Sequence, residues 1–305
     1  MKILIIGLGS IAKKHIAALS ELDSTIQLVA LRSSPNAKPY KNVLNIFDFN
    51  DIENTLFDFT IISSPTANHK SDIEKLIALK IPLFIEKPLY HNLELNELIT
   101  KIDQTKTQTY IACNLRFLEA LNFTKSYLED NKHLKINEVN VYCGSYLPEW
   151  RETADYKQSY SANQEMGGGV HLDLIHEIDY TYWFFGEPKN ISSCLKSNSS
   201  LNIKSIDYGH YNLDYDDFMV NITLNYYRRE PKRTLEILFN THTLTVNLLK
   251  NEVYAGDELV FKSEQKPIDT YKKQLEYFIN NISKPNFNDI HEAYKVLKIC
   301  LNNQR

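Results

Sequence analysis

The sequence predicts an α/β chain in two parts: an N-terminal doubly wound parallel sheet over residues 1–118, and a C-terminal α+β domain with a large, mostly antiparallel open sheet over residues 119–305. Three observations predict it. Short apolar segments alternate with helical stretches through the first 120 residues. A glycine turn joins the first apolar segment to the first helix. Beyond about residue 120 the pattern changes to two-sided strands separated by turn-like stretches. At 305 residues the chain is longer than one compact core usually holds, which agrees with two domains.

Residues 3–6 form a wholly apolar strand of the kind buried on both faces in a parallel sheet, and residues 11–22 carry apolar side chains at helical spacing. Strands follow over 26–31 and 58–63, a helix over 72–79, a strand over 82–86, a helix over 93–105 and a strand over 109–113. Such alternation implies right-handed crossovers. In the second part a helix over 120–130 precedes a strand over 136–145, then strands over 192–196, 218–226, 233–239 and 243–248. Residues 197–207 read as a polar loop, and 271–282 and 289–302 as helices.

Composition narrows the function classes. Hydrophobic residues make up 43% and charged residues 24%, an ordinary globular balance. With 34 basic against 38 acidic side chains and no basic block, nucleic acid is not the expected partner. The longest apolar run is too short for a membrane span, and the start is too short in apolar residues for a signal peptide. The four cysteines lie far apart, without a C-x-x-C pair, which fits a reducing cytoplasm and neither a disulfide nor a metal framework.

Gly7-Leu8-Gly9-Ser10-Ile11-Ala12 is a G-x-G-x-x-A turn between strand and helix. The first glycine permits the tight turn and the second lets a pyrophosphate approach the backbone. Ala12 keeps the helix close to the sheet, while the helix N-terminus offers unpaired N–H groups to an anion. This predicts a dinucleotide-binding Rossmann domain, the alternative being a plain glycine turn. The second strand ends in Arg32-Ser33-Ser34, where an NAD-specific domain usually has Asp or Glu for the ribose hydroxyls. A guanidinium and two hydroxyls suit a 2′-phosphate, so the reading leans to NADP over NAD, with a solvated surface charge as the alternative for Arg32.

Two further stretches are more specific: Ile85-Glu86-Lys87-Pro88-Leu89, and the glycine run Gly167 to Gly169 continuing through His171, Asp173 and His176 to Asp179. With the glycine turn and Pro65-Thr66-Ala67-Asn68-His69, they resemble the glucose–fructose oxidoreductase / inositol dehydrogenase (Gfo/Idh/MocA) family over nearly the whole chain. The resemblance implies a Rossmann domain followed by an α/β domain whose open sheet carries homo-dimer or homo-tetramer contacts. It places Ser64, Pro65, Thr66, His69, Glu86 and Lys87 along the cofactor. It also implies that Lys87 hydrogen-bonds the reacting hydroxyl beside the nicotinamide, that His176 is the general acid/base, and that Asp173 binds or orients substrate. The commoner family pattern separates that Asp and His by four positions; here the separation is three, with Leu174-Ile175 between. Which of His176 and Asp173 carries the proton therefore stays open, with His171 a lesser rival.

The residues alone agree with such chemistry. Oxidising an alcohol needs a hydride acceptor on one face of the carbon and a group to take the hydroxyl proton. A histidine titrates near neutrality, and a lysine ammonium stabilises developing alkoxide charge. On a continuous helix Asp173 and His176 would share a face. Lys87 as an ion-pair partner, His176 as a satisfied core histidine, and a metal held by His171, Asp173 and His176 are the competing readings; no fourth metal ligand is spaced to help.

Asn114-Leu115-Arg116-Phe117 follows the last parallel strand, where Asn114 is expected to face cofactor and Arg116 substrate, with interdomain packing as the equal alternative. Trp150-Arg151 and Asp155-Tyr156-Lys157, with Tyr160, read as a substrate loop in which aromatic faces stack on a sugar ring, the equal alternative being a plain surface loop. Arg151 and Lys157 would grip a phosphate or carboxylate. His15 and His69 lie near cofactor turns and are expected to position backbone. The sequence thus predicts an NADP-leaning dehydrogenase or reductase of a sugar, nucleotide sugar or inositol-like polyol. A non-catalytic NAD(P)-binding regulator on the same fold, and a reductase of imines or apolar ring ketones, are the alternatives; Lys87 with His176 disfavours the first and the polar loop the second.

Overall fold

The structure is a computed structural model that describes residues 1–53, 55–151 and 155–302. It divides into two compact units, Met1–Asn114 with Lys266–Tyr294, and Leu115–Gln265 with Lys295–Arg305.

In the first unit the chain runs β1 (Lys2–Ile6), α1 (Ser10–Leu22), β2 (Gln27–Leu31), β3 (Val43–Ile46), α2 (Asn50–Glu53), β4 (Phe59–Ile62), α3 (His69–Leu76), β5 (Leu83–Glu86), α4 (Asn96–Thr105) and β6 (Thr109–Ala112). All six strands are parallel, in the order β3-β2-β1-β4-β5-β6. The order reverses between β1 and β4, so a crevice opens at the carboxyl ends of those neighbours. Ile3, Leu4 and Ile5 of β1, Ile61 and Ile62 of β4 and Leu83 to Ile85 of β5 are wholly enclosed, which explains the apolar runs in these strands. Strand β3 was not foreseen: it is a four-residue edge strand whose Leu44 faces solvent, so neither alternation nor a continuous apolar run announces it.

The second unit contains α5 (Glu119–Asp130), β7 (Ile136–Tyr146), α6 (Val170–Asp173), α7 (His176–Phe185), β8 (Asn190–Lys196), β9 (Tyr208–Asp214), β10 (Met219–Asn225), β11 (Tyr227–Phe239), β12 (Thr243–Asn247), β13 (Glu252–Ala255) and β14 (Glu258–Lys262). Its eight-stranded sheet runs β14-β13-β12-β11-β7-β10-β9-β8. Every pair is antiparallel except β7 with β10. Val139, Val141, Tyr211, Leu213, Val220, Ile222, Leu235 and Ile237 are buried, while the alternate positions Asn140, His210, Asn221 and Glu236 are half-exposed. On that second face His210 Nδ1 lies 3.0 Å from Thr223 Oγ1 and Asn221 donates to Glu138 and Asn140. Strands β9, β13 and β14 were also unforeseen. In β9 the buried positions are Gly209, Tyr211 and Leu213 between polar residues, a weak apolar signal.

Two expectations need correction. The segment from Lys266 does not belong wholly with the second unit. Helix α8 (Asp269–Asn280) returns to the parallel sheet, because Phe278 needs an apolar partner and finds Phe59, Phe84 and Tyr110 at 5.1–5.6 Å between ring centres. The unit boundary therefore falls after Asn114, not at 118, and falls again within α9 (Ile290–Cys300). Nor do Asp173 and His176 share a helix. The chain leaves helical geometry at Leu174 (φ −101°, ψ 29°), so Asp173 ends α6 and His176 begins α7.

Candidate functional site

Gly7 has φ +79°, and a Cβ there would stand 2.9 Å from the backbone of Ser64. Only glycine lets the ends of β1 and β4 approach this closely. Gly9 caps α1 in an extended conformation with no side-chain hydrogen bond, and a Cβ built there meets nothing within 4 Å. The first turn of α1 carries no acid, so no side-chain charge there offsets the positive end of the helix dipole. Ser10 is exposed, Ile11 half-buried and Ala12 fully enclosed. These features fit a dinucleotide pyrophosphate.

Ser63 and Ser64 meet this turn directly, and His69 meets Ser64. Ser63 Oγ donates to Gly7 O at 2.8 Å. Ser64 Oγ donates to Asp72 at 2.5 Å, and burial raises the Asp72 carboxyl above the usual carboxylate range. Pro65 is exposed and Thr66 buried. His69 is enclosed, its Nε2 3.0 Å from Ser64 O and its Nδ1 3.1 Å from Pro88 O. Burial depresses its pKa against the opposing effect of those carbonyl contacts. Glu86 is buried, takes His15 Nε2–H at 2.5 Å, and accepts the Lys87 N–H at 3.2 Å. Lys87, half-buried, precedes Pro88 through a cis peptide. Asn114 donates to Thr270 Oγ1 at 2.7 Å from a buried position. Arg32 is half-buried and already engages Asn45 Oδ1 at 3.2 Å, with Ser33 and Ser34 exposed beside it.

In the second unit the glycine run is fixed by crowding: a Cβ at Gly168 would lie 2.0 Å from Tyr160 O. Asp173 is half-buried and accepts the Tyr226 hydroxyl at 2.5 Å. Tyr226 is fully enclosed, and burial followed by the Asp173 charge pushes its pKa well up. Trp150 stands edge-on to Tyr226 at 5.3 Å and donates from its indole to Ser145 Oγ. Trp150, Arg151 and Tyr156 line one narrow cleft with Leu147, Ser159 and Ser161. The hydroxyls of Tyr156 and Tyr160 donate to Leu201 O and Gly167 O, so they tie this loop to the 197–207 segment and to the glycine run.

His176, 8% exposed, opens α7. The next residue, Glu177, is enclosed and paired with Arg233 at 2.6 and 3.0 Å. Asp179 is paired with Arg116 at 2.8 and 2.9 Å. Arg116 was expected at substrate. It is instead 1% exposed, because the buried Asp179 carboxylate requires a bidentate cation. His171 is enclosed, and burial lowers its pKa to about 4, which makes it a neutral packing residue. Among the described residues no three His, Cys, Asp or Glu are grouped to hold a metal, and no helix is long and apolar enough to cross a membrane.

Sequence reasoning missed Tyr226 and Arg233. Tyr226 lies at the bend between β10 and β11 and Arg233 within β11, and their partners lie 53 and 56 positions away. No local signal marks either.

The chain matches two family descriptions, an oxidoreductase family with an NAD-binding Rossmann fold over residues 1–112 and the GFO/IDH/MocA C-terminal domain over residues 124–245. It is 24% identical over 215 residues to glucose-6-phosphate 3-dehydrogenase of Bacillus subtilis, covering 67% of this chain and 59% of that protein, so it spans less than two thirds of that relative's length. Among solved structures it resembles myo-inositol 2-dehydrogenase from Lactobacillus plantarum with a TM-score of 0.81 and 19% identity. It also resembles scyllo-inositol dehydrogenase from Lactobacillus casei, with bound cofactor NAD(H) and scyllo-inositol, with a TM-score of 0.81 and 20% identity. Each likeness covers 100% of this chain and 96% of the other. At such identities they speak for the fold.

Proposed function

The chain belongs to the GFO/IDH/MocA oxidoreductase family, with its NAD-binding Rossmann fold, and on that premise we propose that it is an NAD(P)-dependent dehydrogenase or reductase acting on a CH–OH carbon of a sugar, nucleotide sugar or inositol-like polyol. The observation that carries the proposal is the close approach of Gly7 to Ser64 beneath an α1 N-terminus without a side-chain cap. That cradle stands at the end of β1, and Glu86-Lys87 at the end of β5, where ligands of open parallel sheets bind.

Gly7, Gly9, Ser10, Ile11 and Ala12 would hold the pyrophosphate, with Ser64, Pro65, Thr66, His69, Glu86 and Asn114 lining the rest of the cofactor. Bound nicotinamide supplies the hydride acceptor or donor. Lys87 places an ammonium at the reacting oxygen and stabilises alkoxide charge there. His176 takes or returns the hydroxyl proton. The engagement of the Asp173 carboxylate by Tyr226 supports Asp173 as the group that orients substrate. Trp150 offers an aromatic face and Arg151 a cation for an acidic substituent. Arg32, Ser33 and Ser34, without Asp or Glu beside them, give the reading its NADP lean. The open face of the second sheet is where a second copy would pair.

The test is turnover on a panel of inositols, sugars and nucleotide sugars with either dinucleotide, followed by nicotinamide absorbance. Lys87→Ala abolishes turnover while the dinucleotide still binds; normal turnover in that variant ends the assignment. Tighter binding of NAD than of NADP by the wild type, unaffected by Arg32→Ala, retires the NADP lean.

A further inference from the structure

The helix after the glycine turn and the strand end carrying Lys87 are joined by one enclosed contact. His15, on the third position after Ala12, has no exposed surface. Its ring stands edge-on to Phe84 at 5.2 Å and to Tyr271 at 5.5 Å, so its plane is fixed by packing. From there Nε2–H donates to Glu86 Oε1 at 2.5 Å. The other carboxylate oxygen accepts the backbone N–H of Lys87 at 3.2 Å. Beyond Lys87, His69 faces the carbonyls of Pro88 and Leu89 at 3.1 and 3.3 Å.

We propose that His15 is a positioning residue for the reaction, acting through Glu86 to set where the Lys87 amine stands relative to the dinucleotide cradle. The inference rests on the role given to Lys87 above. Its physical basis is the softness of a glutamate's last torsion, which is broad and roughly two-fold. A single donor at Oε2 leaves that carboxylate free to turn. A second, charge-assisted donor from another element removes the freedom. Because His15 belongs to the helix that begins at Gly9 and Ser10, the same rigid element seats the phosphates and orders the strand end bearing the amine. Both are then placed by one folding event, and outer partners of this kind orient the groups that touch substrate.

His15→Leu keeps apolar volume and removes the donor, whereas His15→Gln returns an N–H at similar reach. Misplacement of a reacting group by about 1 Å can cost about 10²-fold in rate, so His15→Leu is expected to lower kcat about 10- to 100-fold. KM and dinucleotide affinity stay near wild type, and His15→Gln recovers most of the loss. A second readout needs no substrate. Lysines are reductively methylated with a carbon-13 label, and the Lys87 signal is assigned by its disappearance in Lys87→Arg. That signal moves in His15→Leu and returns in His15→Gln.

An unmoved Lys87 signal together with unchanged kcat in His15→Leu overturns the inference. So does an equal loss in both His15 variants that follows melting temperature and dinucleotide affinity, the mark of a merely structural residue. Normal turnover in Lys87→Met is a different failure: it removes the role of the amine, while the label still reports whether His15 places it.

Discussion

The Tyr226 hydroxyl, without exposed surface, donates to the Asp173 carboxylate at 2.5 Å and so ties the end of β10 to the end of α6. The contact fixes Asp173 at the end of α6, just before helical geometry is lost at Leu174, and His176 starts the next helix.

Tyr226→Phe removes that donor and changes little volume. Losing a hydrogen bond to a charged acceptor costs about 1.5–3 kcal/mol, and the half-buried state of Asp173 lets water make good part of it. The expected result is a stability loss of roughly 1 kcal/mol in urea titration, with a rise in KM for the polyol and little change in dinucleotide affinity. Unchanged KM removes Asp173 from the substrate site.

The two glycines of the turn separate fold from binding. Gly7→Ala forces a Cβ to 2.9 Å from Ser64 at a positive φ, so it should lower the melting temperature as well as dinucleotide affinity. Gly9→Ala meets nothing within 4 Å at φ −84°, so the fold should be spared. Its methyl stands where a pyrophosphate would approach, and dinucleotide affinity should fall about 10-fold or more, about 1.4 kcal/mol. Fluorescence titration beside thermal denaturation tells the two apart. Undiminished affinity in Gly9→Ala counts against phosphate binding at this turn.

The Arg116–Asp179 pair lies out of solvent at both ends, with side-chain exposures of 0% and 1%. Arg116→Met strands a buried carboxylate and should cost about 3–5 kcal/mol. Replacing both, as Arg116→Met with Asp179→Leu, should recover much of that loss, since apolar residues of similar size often replace a buried pair at little cost. Chemical denaturation of the two variants measures the difference. A mild effect in Arg116→Met would return this arginine to the list of substrate contacts.

What the sequence disclosed and what it hid follow from the range of each interaction. Strands β1, β4 and β5 are buried on both faces, so their apolar runs are unambiguous. The glycine turn and Glu86-Lys87 are local motifs whose chemistry lies in adjacent residues. The break between Asp173 and His176 is different, because spacing of three looks helical whether or not the hydrogen bonds continue through Leu174. Arg116 followed a strand end and had the charge of a ligand contact, yet its partner lies 63 positions on. Nothing local distinguishes a cation that meets substrate from one that meets a buried acid. Helix α8 was read correctly as a helix and assigned to the other unit, since an amphipathic face does not name the sheet that covers it.

His171 gives the fold an acid-side limit. Burial lowers its pKa from 6.5 to about 4, so the unfolded chain binds its proton more readily than the folded one. The sign follows from linkage: stability is fully present above the unfolded value of 6.5 and is lost as pH falls toward about 4. A difference of roughly 2.5 pH units corresponds to about 3 kcal/mol. Urea midpoints measured from pH 7 to pH 4 should therefore decline in the wild type. In His171→Met, which keeps the bulk and cannot take a proton, the slope should be smaller by that amount at the acid end, with His69 contributing a loss of the same sign in both proteins. Parallel pH profiles for the two proteins would show that His171 is reached by protons without opening the unit, and would remove burial as the cause of its depressed pKa.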